Sequence, residues 1–591
     1  MPGIFGVVGD NAEDQVARMA TAMRHREYYQ TACVSDSNVA LGVIGHGRLP
    51  HEGCAEAARH KLVMSGEIFE PRTASLSALL DDLRTAGLNP ENYNGLFQIG
   101  FWDGLQRKLA IASDPGGIRP LYYTDAGGMF AFASEVKALL ALPWVDREID
   151  YQAILSFLRF GHFVDRQTYF KKIRLLPSGS RGEFANGLFS DSAYFRPDFS
   201  EKSELEAKSR FCEAWLTAIR RQSEGDFRFG VLLSGGLDSR MIASGLHNLE
   251  VGCETFTMGM EGCSDARTAG DVAGVLGFNN TFVPVTTANF TQGLEDAVYL
   301  SDGRFDCFHS SVRFLSSQLR NLDIVFDGIA WTDLFHNSPE VGIKRWLGKG
   351  DCQRWLRWRF GGIDARRFTL GREVVNLLSE AFSDIEEDDL LARFAADHAD
   401  CTGAIAMHDL FEVYERLHHL TCNGPNLAWV ETDVRCPFYD TELLKICAAM
   451  DPIYRGEDKL PHRYVLSKTA EPDLKEIPWA KQRLPVTAGY HRVLWQLGWK
   501  FLGGVTSRCL PFQIGWTEAP MIDVDAFIRQ SEGPLRSMIE QYLIEEPQSG
   551  FVDPESLRSV LLMEDRGQDY SEILGRLLTL EIWYRQFIET S

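Results

Sequence analysis

The chain has 591 residues, too many for one hydrophobic core, so two large domains are expected. Apolar residues make up 45% and charged residues 24%, the balance of an ordinary soluble globular protein. A formal net charge of -22 argues against nonspecific binding to nucleic acid or to an anionic membrane, both of which would repel the chain, and leaves room only for a local basic site that takes a phosphate ligand.

The start, MPGIFGVVGD, has no basic stretch ahead of its short apolar run, so no targeting segment is expected. No run approaches the roughly 18 to 20 apolar residues that a membrane span needs. The twelve cysteines are scattered without a CxxC pair, which points to free thiols in a reducing cytoplasm. His418 and His419 are adjacent but have no partner at metal-ligand spacing. Up to about residue 195 the pattern is β-rich: the runs Val39–Ile44, Leu109–Ala112 and Met129–Ala133 are bounded by turn residues. One helix is visible there, since Leu76, Leu79, Leu80 and Leu83 fall at helical intervals. The polar, proline-containing stretch Arg196–Lys202 reads as a linker, giving domains 1–195 and 203–591. Beyond it a helix over Phe211–Ile219, a strand over Phe229–Leu233, a helix over Arg240–Leu246 and a strand over Glu254–Met258 alternate, which predicts a parallel sheet with helices on its faces. Roughly the last 180 residues carry a helical pattern.

The strongest local signal is Ser234-Gly235-Gly236-Leu237-Asp238-Ser239, between an apolar strand and a helix. Glycines let a backbone turn tightly and approach an anion, the helix start offers free N–H groups and the positive end of its dipole, and the two serines add hydroxyl donors. Asp238 would repel a phosphate directly and makes sense as a ligand for Mg2+, which bridges carboxylate and phosphate oxygens. There is no Gly-Lys-Ser/Thr, so this is not a Walker loop.

SGGLDS after a hydrophobic strand resembles the pyrophosphate loop of the ATP-pyrophosphatases, and nearly the whole chain resembles the asparagine synthetase family. Glu254-Thr255-Phe256-Thr257-Met258-Gly259 is similar to the family's next strand, Asp265-Ala266-Arg267 to its Asp-Glu-x-x-x-Ala segment, and Arg435-Cys436-Pro437-Phe438-Tyr439-Asp440 to Arg-Val-Pro-Phe-Leu-Asp, with Asp433 where a Glu is usual. The resemblance implies an ATP site at Leu233, Ser234, Gly235, Gly236, Leu237, Asp238, Ser239, Thr257, Met258 and Gly259, with ATP and Mg2+ as cofactors. It also implies adenylation of a carboxylate, release of pyrophosphate, and attack of an amine on the acyl-adenylate. Two positions depart from the family. The second acidic motif reads Asp327-Gly328-Ile329-Ala330-Trp331-Thr332-Asp333; either acid could hold the metal with Asp238, and Asp333 is favoured. Lys481-Gln482-Arg483 stands where the family has Arg-x-Lys, so either cation could stabilise developing charge.

The N-terminal half matches the same family through Gly3-Ile4-Phe5-Gly6-Val7-Val8-Gly9, Ser65-Gly66-Glu67-Ile68, Asp114 through Tyr123, and Ser134 through Leu139. The resemblance implies an Ntn-type, glutaminase-like β-sandwich followed by an α/β parallel-sheet ATP-pyrophosphatase domain with a helical C-terminal part. The nucleophilic Cys of glutamine-using members is replaced by Pro2, the oxyanion Asn by Ser65, and the amine-binding acid is missing from Thr73-Ala74-Ser75-Leu76. Three losses together imply a domain that no longer hydrolyses glutamine. This state resembles two groups in the family. Lasso-peptide cyclases close a macrolactam on a precursor peptide and work with a partner protease; β-lactam synthetases close a small ring. The aromatic and cationic stretch from Arg345 to Phe360 favours a peptide substrate, or else packs its tryptophans internally. Tyr414 and Glu415 are candidates for the Tyr–Glu base pair of the β-lactam enzymes. An ammonia-dependent amidotransferase and a non-catalytic nucleotide-binding partner complete the alternatives; no nucleic acid and no membrane span is expected.

Overall fold

Glycines in the first strand make the N-terminal half possible. A Cβ on Gly6 would fall 2.5 Å from the Phe132 ring, so only glycine lets neighbouring strands seat that ring between them. The computed structural model describes residues 1–199, 207–329, 404–450, 459–479, 485–487 and 520–589, with isolated positions between 378 and 398. One antiparallel sheet runs, edge to edge, Arg174–Leu175, Tyr122–Ala126, Met129–Ala133, Gly3–Val8, Val39–Gly45, Gln30–Asp36. A second runs Leu188–Ala193, Ser180–Ala185, Lys108–Ser113, Asn94–Asp103, His60–Glu70, Gly53–Ala57. Alternate residues of both, among them Ile4, Val43, Phe130, Val63, Trp102 and Ile111, fill the sandwich between them. Leu79, Leu80 and Leu83 of the helix Leu76–Ala86 cover the outer face of the second sheet, as their spacing predicts. The helix Ala12–Met23 covers the first.

The C-terminal half holds a five-stranded parallel sheet in the order Asn279–Pro284, Cys253–Gly259, Phe229–Leu232, Ile324–Phe326, Asp433–Arg435. The predicted helices are present with longer bounds, Ala207–Gln222 and Leu237–Asn248. Chain order reverses at Phe229–Leu232, where one neighbour is the next strand and the other arrives only after three helical crossovers. Such a switch point opens a crevice at the carboxyl ends of the strands. No helix among the described residues is long and apolar enough to cross a membrane.

The two halves are joined through buried polar contacts. The Arg435 guanidinium makes two parallel bonds to Glu67, both 2.8 Å, and also donates to the carbonyls of Gln222 (2.6 Å) and Glu224 (3.0 Å). Glu431 accepts from Arg26 (2.6 Å), Tyr28 (2.7 Å) and Arg320 (3.1 Å). Gly117, at φ +61, lies so close to His418 that a Cβ would meet its Nδ1 at 2.4 Å, and that nitrogen pairs with the Gly117 carbonyl at 2.8 Å. The chain's last helices also return to the first half. Trp583, of the helix Ser571–Tyr584, lies 4.1 Å from the Tyr169 ring, and Arg576 donates to the Leu158 carbonyl at 2.9 Å.

Between the halves lies a crowd of acids. The Ser65 hydroxyl donates to Glu52 Oε1 and accepts from Arg119 Nη1, both at 2.7 Å, while Asp433 Oδ1 stands 4.0 Å from Arg119 Nη2. Both Asp433 oxygens and Glu52 Oε2 are buried without a hydrogen-bond partner. Burial, then the Asp433 charge, pushes Glu52 up to about 7, and burial pushes Asp433 up to about 7. Between the ordinary carboxylate range and pH 7 the folded chain therefore holds protons that an unfolded chain has released, so this cluster's contribution to stability falls as pH rises through that window. A shallower fall in melting temperature from pH 5 to 8 in Glu52→Gln/Asp433→Asn than in the parent protein is the expected result. Arg435→Ala strands the largely buried Glu67 carboxylate and should cost about 3 to 5 kcal/mol in urea unfolding.

Candidate ATP and carboxylate-activation site

The strand Phe229–Leu232 ends at the switch point, and its neighbour holds the outgoing chain. Leu233 N donates to the Phe256 carbonyl (2.9 Å), and the Leu233 carbonyl accepts from Thr257 Oγ1 (2.8 Å). Ser234, Gly235 and Gly236 then turn into the helix Leu237–Asn248, whose N-cap is Gly236. The loop's amides are satisfied internally: Ser234 N donates to Ser239 Oγ (3.0 Å), Gly236 N to Ser234 Oγ (3.2 Å) and Gly235 N to Asp265 Oδ1 (3.0 Å). The two serine hydroxyls are neutral acceptors that a phosphate at this helix start would outcompete, while the Asp265 carboxylate holds Gly235 N from the helix Ser264–Leu276. Thr257 thus serves by fixing Leu233. Gly259 has its carbonyl taken by Val285 N at 2.8 Å, and a Cβ there would meet Met521 O at 3.1 Å, so the segment at Met521 closes over this strand end. Met258 is half-buried between them.

Asp238 lies in the first turn of the helix with its carboxylate paired to Lys459 Nζ and 3.0 Å from His462 Nε2. Burial opposes its charge, yet Lys459 and His462 hold it well below the usual carboxylate range. His462 is fully buried and stacks on Phe438 (5.4 Å between centroids), so the Arg435-to-Asp440 motif supports Asp238 through that ring. A second acid stands next to the loop. Asp327 directly follows the strand Ile324–Phe326, and a Cβ on Gly328 would fall 3.2 Å from Asp238 Cβ and 3.1 Å from Ser239 N. Asp327 Oδ1 accepts from Ile329 N (2.8 Å), whereas its buried Oδ2 has no partner and burial pushes the group up to about 6. A buried carboxylate oxygen without a hydrogen-bond partner among the described residues, at the strand end next to the loop that carries Asp238, fits a hard divalent cation such as Mg2+. Asp333, the favoured acid in the sequence, lies outside the described residues.

Lys481 and Arg483 also lie outside them, but the chain leading there is anchored. The fully buried Arg240, one turn into the phosphate-loop helix, donates to the carbonyls of Ile477 (2.7 Å) and Pro478 (3.2 Å). Tyr414 and Glu415 sit on the π-helical stretch Glu412–Thr421. Glu415 Oε2 accepts from Asp165 N at 2.7 Å, a contact with the N-terminal half, and the Tyr414 ring is 5.6 Å from that of His398. Lys459 and His462 are not among the residues that the sequence singles out. Asp265 belongs to a motif that resemblance had flagged, whereas Lys459 and His462 carry no local signal.

In the N-terminal half, Met1 and Pro2 are buried. They line a void of about 10 Å3 with Gln98, Arg119, Ser134, Asn426 and Trp429, room for roughly one water. Trp429, from the other half, lies over the Arg119 guanidinium at 4.2 Å. The Ser65 hydroxyl proton is committed to Glu52, so the oxyanion donor that Ser65 could have supplied is already used. Ser75 caps the helix Leu76–Ala86 by accepting from Ala78 N at 3.2 Å.

Asp238→Asn keeps the shape of the loop and removes its charge. Magnesium-dependent conversion of ATP to AMP should drop at least about a hundredfold while the far-ultraviolet circular dichroism is unchanged. Normal AMP formation by the folded variant would remove Asp238 from the metal site.

A family model described as a glutamine amidotransferase domain matches residues 76–195, and one described as asparagine synthase matches residues 213–491. A putative glutamine-hydrolysing asparagine synthetase of Mycobacterium tuberculosis (strain ATCC 25618 / H37Rv) is 27% identical over 383 residues, covering 56% of this chain and 58% of its own. Asparagine synthetase 1 of Bacillus subtilis (strain 168), also named glutamine-hydrolysing, is 28% identical over 215 residues, covering 35% of this chain and 34% of its own. The chain thus matches less than two thirds of the length of these relatives. Among solved structures, the glutamine phosphoribosylpyrophosphate amidotransferase of B. subtilis aligns over 56% of this chain and 77% of its own at 11% identity, with a TM-score of 0.24 too low to bear on the fold. With an amidotransferase match in the β-sandwich half and a synthase match in the parallel-sheet half, the chain belongs to the asparagine synthetase family.

Proposed function

We propose that the protein is an ATP-dependent carbon–nitrogen ligase that adenylates a carboxylate and forms an amide with an amine that does not come from glutamine. The observation that carries this reading is the phosphate-loop turn at the helix start, with the ionised Asp238 in its first turn and Asp327, whose buried Oδ2 has no hydrogen-bond partner among the described residues, at the end of the adjacent strand. Loop amides and hydroxyls from Ser234 to Ser239 bind the phosphates. Asp238 and Asp327 would hold Mg2+, which supplies charge compensation on the phosphate oxygens. Lys459, paired with Asp238, brings an ammonium within reach of the same oxygens. Attack of the substrate carboxylate on the α-phosphorus releases pyrophosphate and leaves an acyl-adenylate. The amine then adds to its carbonyl and AMP departs. The chain's task is to place the two reactants and to stabilise charge, since a carboxylate becomes a usable electrophile only with AMP as leaving group.

The absence of glutamine chemistry is supported by Pro2 in place of a thiol, by the Ser65 hydroxyl committed to Glu52, and by a void with room for a water beside Pro2. Macrolactam closure on a peptide's own N-terminal amine is our preferred form of the second step; β-lactam closure and amidation by free ammonium share the same first step. The Arg345–Phe360 stretch that motivates a peptide lies outside the described residues.

Purified protein incubated with glutamine, with and without ATP, should release no glutamate above a no-enzyme control. Pro2→Cys alone should rescue little, because the amine-binding acid is still missing from Thr73-Ala74-Ser75-Leu76. With its own substrate the product should be lighter than the precursor by one water, with AMP released in step. A carboxamide formed from ammonium would instead assign an amidotransferase, and glutamate release by the parent protein would overturn the reading of the N-terminal half.

A further inference from the structure

The last part of the chain gathers acids that the ATP site does not use. We propose that Asp525, Glu564 and Asp569 form a second divalent-cation site, for Ca2+ or Mg2+, that ties the C-terminal helices together. The three come from different elements: Asp525 from the short helix Val524–Ile528, Glu564 from the end of Pro554–Asp565, and Asp569 from the turn before Ser571–Tyr584. One carboxylate oxygen of each lies within 4.8 Å of the others, a spacing that a single oxygen-seeking ion spans. Three like charges this close repel one another, and one cation answers them: Arg529 Nη2 is 2.5 Å from Asp525 Oδ2, and its Nε is 3.5 Å from Glu564 Oε1. Three carboxylates against one guanidinium leave two negative charges, which a divalent ion balances.

A separate observation concerns hydrogen bonding. Glu564 is fully buried; its Oε2 accepts from Tyr570 N at 2.7 Å, but Oε1 has no hydrogen-bond partner, and neither has Asp525 Oδ1. Buried carboxylate oxygens are costly to leave unsatisfied, and those two point among other acids. Asp569 is exposed and would give an ion its entry and its water ligands, while its Oδ1 accepts from Ser571 N (3.1 Å) and Oγ (2.7 Å) at the start of the next helix. That helix carries Trp583 onto Tyr169, so the ion would reinforce the packing of the chain's end on its beginning.

The test is calorimetric titration of the full chain, without nucleotide, with Ca2+ alone and with Mg2+ alone, accompanied by thermal melts. One equivalent of at least one ion should bind and raise the melting temperature. Binding should survive in Asp238→Asn and weaken by about tenfold to a hundredfold or more in Asp569→Asn and in Asp525→Asn. Asp569 is exposed, so its variant tests the site without risk to the core. Failure of both ions to bind, binding abolished by Asp238→Asn, or binding unchanged in Asp569→Asn and Asp525→Asn would each overturn the proposal.

Discussion

Strand Asp433–Arg435 is held on both sides, and the rest of the arrangement depends on it. Its backbone completes the edge of the parallel sheet, with Ile324 opposite Asp433, and the Arg435 carbonyl accepts from Asp327 N at 3.0 Å. Its side chains reach the other way, where Arg435 grips Glu67 and Asp433 faces Arg119. Five residues on, Asp440 meets Asn94 of the N-terminal half at 3.1 Å, while Phe438 supports the histidine beside Asp238. One short segment therefore sets both the second acid of the ATP site and the seam between the halves. The N-terminal half is needed here whatever its chemistry, because it supplies the Glu67 carboxylate without which the Arg435 charge would be buried without an ion-pair partner.

The seam also explains why the motifs of the N-terminal half persist around a site that lacks its nucleophile. Glu67 of Ser65-Gly66-Glu67 is an anchor for Arg435, Ser65 links Glu52 to Arg119, and the Asp114-Pro115-Gly116-Gly117 turn needs its second glycine for the close approach of His418. These are structural uses of residues that a glutaminase would use chemically. Trp429 over Arg119 and the small void at Pro2 mark where the synthetase half has closed on the site.

Local features were legible in the sequence. The strands Phe229–Leu232, Cys253–Gly259 and Met129–Ala133 announce themselves as apolar runs between turn residues, and the helix from Leu76 by its leucine spacing. The phosphate loop was legible because its chemistry is written in six consecutive residues. What supports the loop was not, since Lys459 and His462 arrive from more than two hundred positions away and Asp265 from about thirty, and spacing says nothing about such meetings. Glu415 adds a contact of the same kind, since its Oε2 accepts from the Asp165 amide of the other half, 250 positions away. Burial was equally hidden. Nothing in the local pattern separates Glu52, Asp433 or Glu564 from solvated acids, and the return of the last helices to the first half is a packing outcome of faces hundreds of residues apart.

The proposed function joins a carboxylate-activating site to a half that makes no ammonia. Exchange of labelled pyrophosphate into ATP, driven by candidate carboxylates including acidic peptides and run with no glutamine present, tests it most directly. Magnesium-dependent exchange with a carboxylate, at a rate that added glutamine leaves unchanged, is the predicted result. Cleavage of ATP to ADP and phosphate, or exchange that appears only when glutamine is supplied, would contradict it.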